Sequence, residues 1–62
     1  MKPVRFQINI EDRPLGYSFL SERAARHFVY LTADRVTGVE AVYVDGSRVP
    51  LDVAEFAAEA AA

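Results

Sequence analysis

A chain of 62 residues without cysteine has no disulfides or thiolate zinc sites to lean on, so a single domain spanning 1–62 must cohere through its apolar core. At 52% hydrophobic and 26% charged residues the composition is globular rather than disordered, and no apolar run approaches the roughly 20 residues that cross a bilayer. Net charge is −2, but residues 1–35 carry six Lys/Arg against four Asp/Glu while residues 36–62 carry one Arg against five acids, which predicts a basic end and an acidic end.

Met1-Lys2-Pro3-Val4-Arg5 leads into alternation rather than an apolar signal core, so a cytoplasmic protein is expected. Val4, Phe6, Ile8 and Ile10 alternate with Arg5, Gln7, Asn9 and Glu11, the period of a strand with one dry face. Asp12-Arg13-Pro14-Leu15-Gly16 has turn chemistry, and Tyr17 to Leu20 reads as a short antiparallel return strand.

Ser21 is placed as an N-cap with Glu22 at the positive helix end. Ala24, Ala25, Phe28, Val29, Leu31 and Thr32 then fall within about 160° of the helix, leaving Arg23, Arg26, His27, Tyr30 and Asp34 outside. Gly38, after Val36-Thr37, reads as the terminator. Val39 to Val44 is apolar on both faces, with Glu40, Val42 and Val44 on one and Val39, Ala41 and Tyr43 on the other, which suits a central strand or one whose second face meets another surface. Asp45-Gly46 marks a hairpin, and Ser47 to Val49 a short strand that Pro50 stops or confines to an edge. Asp52 and Glu55 form a capping box, with Leu51 able to staple onto Phe56, so Val53 to about Ala60 should be helical. That helix either lies across the second face of the sheet or swings out to a partner.

The expected fold is a small α+β domain in the order β-β-α-β-β-α. It has a mostly antiparallel three- or four-stranded sheet, one amphipathic helix on a face and a short C-terminal helix. In element order this is similar to the β-grasp arrangement, although sulfur-carrier members of that family end in diglycine and this chain ends Ala60-Ala61-Ala62. Ser21 to Val29 followed by Val42-Tyr43-Val44-Asp45-Gly46 resembles the helix and glycine-turn hairpin of a small ribosomal-protein-type RNA-binding domain, with about nine extra residues between them.

Catalysis needs convergent groups, and His27 is the single histidine. No metal-ligand spacing or glycine-rich phosphate loop is present, so neither an enzyme nor a cofactor is expected. Arg and Tyr on one helix face suit a contact surface. We therefore read Arg23, Arg26, His27 and Tyr30 as a partner-binding ridge, extended by Arg5 and Arg13. The expected partner is a larger protein or ribonucleoprotein complex. Nucleic-acid binding is the alternative, disfavoured by a pI near 5.2, and a homodimerising accessory or antitoxin-like subunit is the third reading. In length and layout the chain resembles the small inhibitors encoded by phages and mobile elements, anti-CRISPR proteins among them. That resemblance implies a protein that binds and blocks or modulates a larger machine.

Overall fold

The computed structural model describes residues 2–61 and has the element order β1 (Arg5–Ile10), β2 (Arg13–Phe19), α1 (Glu22–Thr32), β3 (Val36–Val42), β4 (Arg48–Leu51) and α2 (Val53–Ala61), with a 3-10 turn at Ala33–Arg35. The four strands form one antiparallel sheet ordered β2-β1-β3-β4. Because β2 and β3 each run against β1, they are parallel to one another, and α1 is the crossover that carries the chain past β1. The alternation of β1 places Phe6 and Ile8 on one face, opposite Phe19 and Tyr17 on β2 and Ala41 and Val39 on β3. That face receives both helices, and Phe6, Ile8, Ala25, Val29, Val39, Ala41, Phe56 and Ala57 close over one another as the core.

The β1–β2 reversal lies at Glu11-Asp12, earlier than the Asp12–Gly16 expected from turn chemistry. Pro14, Leu15 and Gly16 instead form a bulge opposite Asn9, since Ile8 pairs with Tyr17 while Ile10 pairs with Arg13. Gly16 is needed there: its φ is +62° and a Cβ would stand 2.4 Å from the Ile8 carbonyl oxygen. Gly46, at φ +89°, closes the β3–β4 hairpin as the sequence predicts, with its N–H bonded to the Tyr43 carbonyl at 2.9 Å.

Gly38 does not end α1. The helix stops at Thr32, whose hydroxyl donates to the Phe28 carbonyl at 2.8 Å, and tightens into the 3-10 turn. Arg35 then clamps the β1–β2 turn, its guanidinium 2.6 Å from the Asp12 carboxylate and its carbonyl accepting the Glu11 N–H at 3.1 Å. That anchorage commits Val36 and Thr37 to β3, and Gly38 lies inside the strand opposite Asn9. Thr37 is the extra residue of a second bulge, so β3 covers Val36–Val42 rather than Val39–Val44.

Asp52 caps α2 as expected, its Oδ1 accepting the Glu55 N–H at 3.0 Å, the N-cap half of the box; no return bond to the Glu55 carboxylate forms among the described residues. α2 does not cross the second face of the sheet. It packs beside α1, with the Phe56 ring 5.6 Å from that of Phe6. The second face stays uncovered among the described residues and is polar: Arg5 Nη1 donates to Gln7 Oε1 and Ser18 Oγ, both at 3.2 Å. Gln7 Nε2 donates to the Leu15 carbonyl at 2.9 Å, and Arg48 pairs with Glu40 at 3.3 Å.

Candidate functional site

Ser21 initiates α1 as expected, its Oγ accepting the Ala24 N–H at 3.2 Å. The buried sector of the helix is nevertheless rotated from the expected one. Phe28, Thr32, Ala25, Val29 and Arg26 face inward, while Ala24 and Leu31, placed in the apolar stripe by their spacing, face outward. At 100° per residue the buried arc turns by about 60° toward Arg26. The cause is α2, which lies against that flank of α1 and leaves the Ala24/Leu31 flank with no helix beside it.

Arg26 is therefore not part of an outward ridge. Its side chain is 20% exposed, pairs with Glu22 at 2.8 Å and Glu59 at 2.9 Å, and donates to the Phe56 carbonyl at 3.0 Å. Its guanidinium carbon sits 4.3 Å from the centre of the Phe56 ring. This side chain joins the two helices. Arg5 and Arg13 do not extend the ridge either: Arg5 lies on the face of the sheet away from α1, and Arg13 stands at the edge strand, 4.4 Å over the Tyr17 ring.

What α1 does present is Arg23, His27 and Tyr30, joined by Ala24 and Leu31 and, from the 3-10 turn that follows, Asp34. Tyr30 is 49% exposed and Leu31 65%, and neither Arg23 nor Asp34 has an ion-pair partner among the described residues. Leu31 is the residue that spacing alone misplaced. It lay at the margin of the predicted arc, so a modest rotation was enough to expose it. Beside the start of the ridge, Ser21, Glu22, Arg23, Arg26, His27 and Glu59 line an open depression.

Chemically this surface offers an aromatic, an aliphatic, an imidazole and a guanidinium on a rigid helix, a set suited to contact. Among the described residues no three His, Asp or Glu side chains converge as metal ligands, and His27 has no hydrogen-bond partner that would orient it as a base. Neither known protein families nor curated proteins nor solved structures yield a match to this chain.

Proposed function

We propose that the protein is a non-enzymatic binding module that attaches to a larger protein or ribonucleoprotein complex in the cytoplasm and modulates or blocks it, in the manner of small phage and mobile-element inhibitors such as anti-CRISPR proteins. The observation that supports this reading is the outward face of α1. Tyr30 and Leu31 spend apolar area on solvent there, beside the Arg23 guanidinium and the His27 imidazole, which have no side-chain partner among the described residues. The membrane has no part in the proposal, since no helix among the described residues is long and apolar enough to cross one.

Capture from native lysate by the wild-type chain and by Tyr30→Ala and Leu31→Ala variants tests the reading. Each truncation should weaken partner retention by about 1–2 kcal/mol while leaving the melting temperature nearly unchanged. Retention equal to wild type by both variants would overturn it. Nucleic-acid binding is less well supported, because among the described residues the arginines without carboxylate partners are dispersed, Arg5 on the face of the sheet away from α1, Arg13 over Tyr17 at the β2 edge and Arg23 on the outward side of α1. Captured RNA or DNA released steeply by salt would favour it instead. Stability that rises with protein concentration would favour the dimerising subunit.

A further inference from the structure

The two edges of the sheet are defended unequally. β4 is four residues long, contains Pro50 and holds Arg48 in an ion pair with Glu40, features that discourage another strand from joining. β2 has seven residues, and only its first half is guarded, by the Pro14–Gly16 bulge and by Arg13 Nε donating to the Gly16 carbonyl at 3.2 Å. Among the described residues Tyr17-Ser18-Phe19 carries no proline, bulge or ion pair.

Ladder alternation identifies the backbone groups left free. The bond from Tyr43 N–H to the Ser47 carbonyl directs Tyr43, Ala41 and Val39 toward β4, so Glu40 bonds Gln7, and Phe6 and Ile8 bond Phe19 and Tyr17. Ser18 is left with its N–H and C=O pointing outward. On the helix side of this edge Tyr17 and Phe19 stack on Phe28, with ring centres 4.9 and 5.1 Å away, and all three are only half-buried. Leu20 beyond them is 85% exposed. On the opposite side Arg5 reaches the Ser18 hydroxyl, while Arg13 stays on the helix side at the near end, its guanidinium over the Tyr17 ring. Neither arginine meets a carboxylate among the described residues.

We propose that the Tyr17–Phe19 edge takes up an extended acidic peptide segment as a fifth strand. The backbone of that segment bonds Ser18, its apolar side chains cover Tyr17 and Phe19 on the helix side, and its carboxylates meet Arg5 on the other. A second copy of this chain is the poorer occupant. A two-fold axis at Ser18 would set the two Arg5 side chains beside one another, adding like charge where an acidic strand supplies the opposite one. This goes beyond the reading of α1, because it uses a separate surface.

The probe is a dye-labelled octapeptide of alternating valine and glutamate, followed by fluorescence anisotropy at low salt. Saturable binding is expected, weakened at least about tenfold by replacing the glutamates with lysine and by Arg5→Gln, with circular dichroism confirming that the variant folds. Two further peptides, N-methylated on one or the other alternate set of amides, should behave differently, one losing binding and the other remaining within about twofold. Equal binding of both methylated peptides or of the lysine peptide would overturn the proposal, as would no binding at millimolar peptide. So would sedimentation as a dimer that Ser18→Pro dissolves. Tyr30→Ala should leave peptide binding unchanged, so failure here and failure of the α1 reading are separable.

Discussion

Gly16 and Gly38 both lie in strands, yet only one of them has to be glycine. A Cβ at Gly38 would meet nothing nearer than Asn9 Nδ2 at 3.6 Å, whereas at Gly16 it would collide with backbone at 2.4 Å in a left-handed conformation. Gly16→Ala should therefore destabilise the fold by about 3 kcal/mol, with Gly38→Ala within about 0.5 kcal/mol of wild type, as read by denaturant titration. Arg26 and Tyr30 separate in the same way. Truncating Arg26 removes a hydrogen bond, two ion pairs and packing on Phe56, so Arg26→Ala should cost about 1–2 kcal/mol of folding stability, where Tyr30→Ala costs little. The clamp at Asp12 is set by acidity. Hydrogen bonding from the Arg35 guanidinium holds its carboxyl below the ordinary 3.8, so the unfolded chain takes up that proton first. The stability contributed by the pair is complete above that ordinary value and is lost as pH falls through the lower folded one. Urea midpoints measured across acidic pH should show a shallower acid decline in Asp12→Asn than in wild type.

At the scale of elements, β1 and α2 were legible because their signals are local: strict alternation in one, an Asp52 N-cap ahead of an Ala-rich run in the other. The hairpin at Asp45-Gly46 was legible for the same reason. The inward face of α1 was not, because it depends on which flank α2 occupies, and no residue of α1 encodes that by itself. Arg26 reads as surface on a helical wheel and becomes interior only once Phe56 and Glu59 arrive beside it. The end of α1 was hidden likewise, since Thr32 gives way to the 3-10 turn where Arg35 finds Asp12 across 23 residues of chain. If α2 fixes this arrangement, Phe56→Ala should be the costliest single truncation among the aromatics, about 3–5 kcal/mol, for a ring that is 3% exposed. Thermal unfolding of the variant measures it.

As a whole the molecule is a slab of 30 × 29 × 17 Å, one layer of sheet under one layer of helices. The basic segment supplies β2, β1 and α1 at one side of the molecule and the acidic segment β3, β4 and α2 at the other, and the two meet along the β1–β3 and α1–α2 seams. Arg26 from the first meets Glu59 from the second at the helix pair, so the charge asymmetry is partly consumed in holding the layers together. Arg23, His27 and Tyr30 share one exposed face of α1, as their spacing predicts. Arg5 and Arg13 do not join that face, because strand alternation and the β2 bulge place them elsewhere.

A two-layer slab is half of a sandwich, and its bare sheet face would ordinarily invite a second sheet to lie flat on it. Here the face is already occupied by its own side chains: Gln7 is fully engaged by Arg5 and the Leu15 carbonyl, Glu40 is held by Arg48, and Val42 beneath them is only 5% exposed. Water meets a layer of fixed dipoles and charges rather than the apolar floor. The network on the uncovered side should thus discourage face-to-face stacking of crowded copies, a colloidal consequence of the register of three strands.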